Sequence, residues 1–439
     1  MNMSIKHSWK YISQINYNFV VNVLVVGSGG REHAISRKLS KSKNIDIVFT
    51  APGNGGTQNN IPIKADQINA LAEFASEKKC FTVVGPEAPL AMGIVDEFNK
   101  RNLKIFGPTK NAAQLESSKI WAKQFMNRNN IPTAEFQIFD NPKEAKEFVE
   151  NYEKQIVVKA DGLAAGKGVI VCSTKDEAFS AIDKIMVENA FGDAGKKIII
   201  EEKIDGIEAS YIALCDGKVG IPMATSQDHK RIFDNDEGPN TGGMGAYSPT
   251  PIVDSNLEKK IQEQVINKTI LSLKNEGIDF KGFLYAGIMI KDDELYVLEY
   301  NVRMGDPECQ PILARLDSDL LEYLQAASEG TLSHLPDMSW KNEYAVCVVI
   351  ASKGYPGSYS MGDEISGFEK IPDTAYVFHA GTKNDNGRIL TSGGRVLSVT
   401  GLGSTLESAI KNAYSATEKI VFTGKFFRTD IGKKGLITL

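Results

Sequence analysis

Ile156-Val157-Val158-Lys159-Ala160-Asp161-Gly162-Leu163-Ala164-Ala165-Gly166-Lys167-Gly168-Val169-Ile170-Val171-Cys172 is a pair of β-branched runs around a loop of small residues. Three glycines and three alanines between Lys159 and Gly168 leave that loop without bulk, so its backbone can close over phosphate groups. Lys159 on the incoming run and Lys167 in the loop supply positive charge. The spacing is not that of a P-loop, and a strand rather than a helix follows. The stretch therefore reads as a hairpin, either a phosphate-closing loop or a flexible tip, within an α+β body of antiparallel strands.

Outward toward the N-terminus the texture changes. Residues 23–26, 45–49, 81–84 and 105–106 read as strands, and residues 31–40, 71–79 and 94–99 as helices. Each strand ends in a glycine-containing loop. The alternation predicts a parallel sheet with helices on both faces and ligands at the carboxyl ends of its strands. In the other direction, residues 176–186 and 257–275 read as helices, and 198–202, 211–214, 218–222, 283–290 and 295–300 as strands, two pairs of them hairpins. Beyond residue 330, strands at 344–351, 375–379 and 395–400 and a helix at 405–419 suggest a small β-rich unit. The expected fold class is thus α/β and α+β, multidomain.

Leu298-Glu299-Tyr300-Asn301-Val302-Arg303-Met304-Gly305-Asp306-Pro307-Glu308 follows an apolar run. Side chains on a strand alternate, so Glu299, Asn301 and Arg303 project together. A carboxylate and a carboxamide suit a hard cation, and an arginine suits an anionic group. A solvated edge strand is the equal alternative at this point.

Other motifs are less specific. Gly27-Ser28-Gly29-Gly30-Arg31-Glu32-His33 opens a helix and offers amides to a single phosphate, while Glu32 breaks the dinucleotide fingerprint. Glu201, Glu202 and Glu208 follow a strand in a way that can read a base and a ribose, although a charged loop explains them as well. Gln227-Asp228-His229-Lys230-Arg231 and Gly238-Pro239-Asn240-Thr241-Gly242-Gly243-Met244-Gly245-Ala246-Tyr247 read as a polar, mobile active-site loop with little core of its own. His229 there reads as an anchor and Cys309 as a packing residue.

Bulk composition narrows the function classes. The chain has 439 residues, 42% apolar and 24% charged, with 50 basic and 55 acidic side chains and a net charge of -5. No basic block points to nucleic acid, and no apolar run approaches the ~20 residues that cross a membrane. Cys80, Cys172, Cys215, Cys309 and Cys347 lack C-x-x-C spacing, which suggests a reducing compartment and neither a disulfide framework nor a zinc site. Residues 1–20 are polar and precede the first strand, and are expected to be a disordered extension or the product of an early start codon.

Taken in order, these stretches resemble the ATP-grasp superfamily, and within it the glycinamide ribonucleotide synthetases (phosphoribosylamine–glycine ligases). Ala51-Pro52-Gly53-Asn54, Gly85-Pro86-Glu87-Ala88-Pro89-Leu90, Phe378-His379-Ala380-Gly381-Thr382 and Gly393-Gly394-Arg395-Val396-Leu397 complete the match, from about residue 23 to 432. The resemblance implies an N-terminal Rossmann-like domain (21–121), a central ATP-grasp domain (122–330) with a mobile lid at about 142–210, and a C-terminal domain (331–439). It implies that ATP phosphorylates glycine and that 5-phosphoribosylamine displaces the phosphate, a step of purine biosynthesis.

Site roles follow from the resemblance. Lys119, Lys159, Gly162, Gly166, Lys167, Gly168, Glu201, Glu202 and Glu208 would bind ATP, with Glu208 on the ribose. Glu299 and Asn301 would hold Mg2+ or Mn2+. Arg303, Asp228 and Lys159 would be catalytic, with Arg303 on the glycine carboxylate or acyl phosphate and Asp228 on the glycine amine. Gly29, Gly30, Asp306, Pro307 and Glu308 would surround the phosphoribosylamine, and Glu87 would also be substrate-binding. Many ATP-grasp proteins carry a further metal carboxylate one strand earlier, where Gly287-Ile288-Met289-Ile290 has none. A cytoplasmic monomer acting on small molecules is expected. Another ATP-grasp enzyme would lack the Asp228 and Asp306-Pro307-Glu308 matches, and a regulatory nucleotide binder would have lost Glu299, Asn301 or Arg303.

Overall fold

A computed structural model describes residues 20–163 and 168–438. The expectation for residues 1–20 therefore lies, apart from Val20, outside the described residues, as do the roles assigned to Gly166 and Lys167.

The N-terminal unit is a parallel four-stranded sheet in the order Ile45–Pro52, Val21–Gly27, Cys80–Val84, Ile105–Phe106. Val23, Leu24, Val25 and Val26 are all fully buried because helices cover both faces. Val23 and Val25 pack with Ala34, Ile35 and Leu39 of the Gly30–Leu39 helix. Leu24 and Val26 face the opposite layer, with Leu71, Ala72 and Ala75 of the Ile68–Lys78 helix.

The central unit holds two antiparallel sheets. One runs Phe136–Phe139, Ile198–Glu202, Ile156–Ala160, Val169–Cys172, and contains the hairpin read first in the sequence. Helices Pro142–Glu150 and Lys175–Ile182 cover one face of it through Ala145, Ala178 and Ile182. The other sheet runs Gly220–Pro222, Ile207–Asp216, Lys281–Lys291, Glu294–Asn301. Along its longest strands alternate residues again feed two layers: Tyr211 and Ala213 pack toward the 255–275 helical stretch, and Ile212 and Leu214 toward the Leu320–Glu329 helix.

The glycine-rich stretch after Gln227 departs from its reading as a coreless loop. Gln227–Asp228 and Gly245–Ser248 are strands of the C-terminal sheet, paired antiparallel to each other and then to Tyr344–Ser352. Met244, Ala246 and Tyr247 are completely buried. Arg395–Gly403, Ala375–His379 and Lys425–Phe426 complete that sheet, and the Leu406–Lys419 helix packs on it. Asp228 is thereby carried on a strand rooted in a folded sheet. Among the described residues no helix is long and apolar enough to cross a membrane, and all five cysteines are buried and unpaired.

Candidate active site

The two central sheets face each other across a cavity of about 850 Å³, which the N- and C-terminal units close at one end. Val157, Val169 and Val171 of the hairpin sheet and Leu298 and Met289 of the other give the cavity an apolar lining.

The strand that carries the metal-type pair is bulged. Gly287 pairs with Glu299 but Ile288 pairs with Val297, so Leu298 is the extra residue. After the bulge the alternation is regular. Tyr300 and Val302 are buried, with the Tyr300 hydroxyl on Thr269 Oγ1 (2.6 Å), and Glu299, Asn301 and Arg303 face the cavity. Burial pushes the Glu299 carboxyl up, and Lys230, Lys159, Lys119 and Arg303 outweigh it, so Glu299 lies below the usual carboxylate range. At Gly287, which lacks the further carboxylate, Glu208 approaches, and Lys230 bridges the two sides by pairing with Glu208 and standing 3.8 Å from Glu299. Among the described residues no three His, Cys, Asp or Glu side chains are grouped to hold a metal. Glu299 and Asn301 still fit one hard cation, an ionised oxygen beside a neutral one on the cavity wall.

Deeper in the cavity, Glu201 is buried between two ammonium groups, Lys123 at 3.0 Å and Lys159 at 2.9 Å. Its carboxylate is committed to them. Glu202 lines the cavity and reaches out to Lys154 (2.9 Å). Lys119 donates to the Gly162 carbonyl at 2.8 Å.

At the other end a charged lattice forms. Arg303 donates to Glu116 (2.6 Å) and Glu87 (3.3 Å), and Arg31 donates to Glu32 (2.5 Å) and the Met304 carbonyl (3.1 Å). Glu116 also accepts from the Val302 amide at 2.8 Å, which ties Arg303 to its own strand. Burial holds the Glu116 carboxyl above its ordinary value despite Arg303. Asp228 is pushed well above its ordinary value by burial, and Glu308, Glu208 and Glu299 add to this against Lys230. Glu308 accepts from Tyr285 (2.7 Å) and Ser210 (3.2 Å), and Asp306 from Gln310 (2.9 Å) with Arg395 at 3.3 Å.

Of the residues singled out in the sequence, Lys119, Lys159, Gly168, Glu201, Glu202 and Glu208 line the cavity, as do Glu299 and Asn301. Glu87, Asp228, Arg303, Asp306 and Glu308 line it too. Gly29, Gly30, Gly162 and Pro307 do not. Pro307 is buried against Gly243, and a Cβ on Gly30 would meet Gln310 at 2.6 Å, so these residues set close packing behind the wall. The helix N-terminus expected to be open to a phosphate is also occupied, because Glu32 turns back and accepts from the Gly29 amide at 2.6 Å. Glu116, Lys123 and Tyr285 were missed. Lys123 stands one helical turn from Lys119, a spacing that could have flagged it, whereas Glu116 on the short Gln114–Ser117 helix carries no such signal.

Two antiparallel sheets lining one cavity between them are the architecture of an ATP-grasp enzyme. The phosphoribosylglycinamide synthetase N domain matches residues 21–116, the ATP-grasp (A) domain 117–309 and the C domain 345–434. A phosphoribosylamine–glycine ligase of Ralstonia nicotianae is 50% identical over 95% of this chain and 100% of its own length. One from Salmonella typhimurium is 50% identical over 95% and 99%. The solved phosphoribosylamine–glycine ligase of Thermotoga maritima superposes with a TM-score of 0.80 at 35% identity, covering 93% of this chain and all of the other. The biotin carboxylase domain of a Hydrogenobacter thermophilus 2-oxoglutarate carboxylase shares the fold, with a TM-score of 0.71 at 15% identity over 92% and 91%. The chain belongs to the phosphoribosylglycinamide synthetase family, the ADP-forming ligases that join glycine to phosphoribosylamine in purine biosynthesis.

Proposed function

We propose that the cavity performs the ligation in two displacements through glycyl phosphate. A carboxylate oxygen of glycine attacks the γ-phosphorus of ATP, the bond to the bridging oxygen breaks, and ADP leaves with that electron pair. The amine of 5-phosphoribosylamine then attacks the acyl carbon, the carbon–oxygen bond to phosphate breaks, and the surplus proton goes to the departing phosphate. Such chemistry needs positioning and charge neutralisation more than a covalent nucleophile.

The observation that carries this reading is that a single cavity holds Lys119, Lys159, Glu299 and Asn301 beside Arg303, Asp228 and Asp306. Lys119 and Lys159 bind the nucleotide, with Glu202 and Gly168 around it and Glu208 toward the ribose. Mg2+ or Mn2+ held by Glu299 and Asn301 would withdraw charge from the phosphate oxygens. Arg303, already oriented by Glu116 and Glu87, receives the glycine carboxylate. Asp228 receives the glycine ammonium, whose charge would offset the burial and the neighbouring carboxylates that raise the Asp228 carboxyl above its ordinary value. Glu87, Asp306 and Glu308 border the phosphoribosylamine. We take the enzyme to be a monomer of the cytoplasm, a reducing compartment that suits its five buried, unpaired thiols.

Phosphate release from ATP by the purified protein with freshly generated phosphoribosylamine tests the reading. Release should require glycine, and release indifferent to glycine would overturn it.

A further inference from the structure

Lys123, which none of the roles above uses, belongs to a closed ring of contacts. Its ammonium donates to Thr133 Oγ1 at 2.6 Å and pairs with Glu201 Oε2 at 3.0 Å. Glu201 Oε1 pairs with Lys159 at 2.9 Å, and Lys159 donates to the Leu298 carbonyl at 3.0 Å. The Thr133 hydroxyl donates to the Val297 carbonyl at 2.7 Å. Both ends of the chain of contacts thus fall on consecutive carbonyls of one strand, at the bulge immediately before Glu299. Lys159 and Glu201 lie on adjacent strands of the hairpin sheet, whereas Lys123, Thr133 and Val297–Leu298 lie outside it. The ring crosses the crease between the sheets twice. Lys123 and Glu201 are each only 2% exposed, so neither is a solvated surface charge.

Left to itself, the Lys159 side chain has four rotatable bonds and its ammonium has no fixed place. Glu201 supplies one fixed contact and the Leu298 carbonyl another. Glu201 is oriented in turn by Lys123 on its second oxygen, and Lys123, which also stands 5.9 Å from the Phe136 ring, is held by Thr133 against the bulged strand. A buried carboxylate facing a single ammonium would be free to turn with it.

We propose that Lys123 and Thr133 are positioning residues for the nucleotide, holding Lys159 in the cavity and locking the hairpin sheet to the bulge that presents Glu299 and Asn301. This rests on the assignment of Lys159, Glu299 and Asn301 to ATP. The ring joins the base end of the site to the metal end without touching the glycine or phosphoribosylamine end. Its loss is therefore felt by ATP and not by the acceptor substrates.

The test is steady-state kinetics of Thr133→Val, Thr133→Ser and Lys123→Met, with Glu299→Gln alongside. Thr133→Val keeps the shape and removes the hydroxyl, so it remains informative if Lys123→Met fails to fold. The expected result is a rise in KM for ATP of about tenfold in Thr133→Val, the scale of one hydrogen bond to a charged group. The KM for glycine should stay within about twofold and kcat within about threefold, and Thr133→Ser should restore the ATP value. Equal changes in both KM values, or no change in that for ATP, would overturn the positioning role. Near-normal turnover in Glu299→Gln would instead overturn the assignment on which it rests.

Discussion

Glu299 is the one carboxylate assigned to the metal. It is ionised, faces the cavity and is balanced by Lys230 rather than by a structural partner in the core. Glu299→Gln should therefore lower kcat by about 10²-fold or more while the unfolding midpoint hardly moves; kinetics beside a denaturant titration check both halves. Glu116 is the opposite case. It is buried, it holds Arg303, and it accepts the Val302 amide, so Glu116→Ala leaves a half-buried guanidinium with Glu87 as its remaining carboxylate and the Val302 amide short of a partner. A loss of about 3 kcal/mol in unfolding free energy is expected, with activity lost as well. The contrast marks what was legible at this scale. Glu299, Asn301 and Arg303 were found because strand alternation is local. Glu116 was invisible because its partner lies 187 positions away and no local pattern announces it.

Among the elements, strands and helices with local periodicity were readable to within a few residues, including the Lys281–Lys291 and Glu294–Asn301 hairpin, whose turn at Asp292 and Asp293 has positive φ angles. The Leu298 bulge was not readable, since it is visible only against the register of the neighbouring strand. The Gly245–Ser248 strand was missed for a related reason. Its partner is Tyr344–Ser352, about a hundred residues on, and Gly245 is needed because a Cβ there would stand 2.7 Å from the Cys347 carbonyl oxygen. Glycine that looks like a loop signal can thus mark close backbone approach. The same logic gives a prediction for Gly401, where the strand runs directly under the Leu406–Lys419 helix and a Cβ would lie 2.7 Å from the Ala409 carbonyl oxygen. Gly401→Ala should destabilise the protein by about 1–3 kcal/mol without changing KM for any substrate, as thermal unfolding and kinetics would register.

Across the whole molecule, the N- and C-terminal units meet through histidines. The His379 amide donates to His33 Nδ1 at 2.9 Å, and Asn54 donates to the His379 carbonyl at 2.7 Å. That contact needs an unprotonated Nδ1. Burial pulls the His33 imidazole down to about 3 from 6.5 and the His379 imidazole down to about 4. Both stay neutral in the folded chain and protonate first in the unfolded one, so their contribution is complete above about pH 6.5 and is lost as pH falls from there toward 3 to 4. Unfolding midpoints should fall over that window, and His33→Gln should flatten the fall. The three-unit order was legible from the alternation of strand and helix, but not this seam, because no sequence pattern says which surfaces of separate units touch.

The central claim is that a glycine oxygen is transferred to phosphorus before the new carbon–nitrogen bond forms. It is tested most directly by running the ligation with glycine labelled with 18O in its carboxylate and analysing the released phosphate by mass spectrometry. Each released phosphate is expected to carry one labelled oxygen. Phosphate free of label, with glycinamide ribonucleotide still formed, would contradict it.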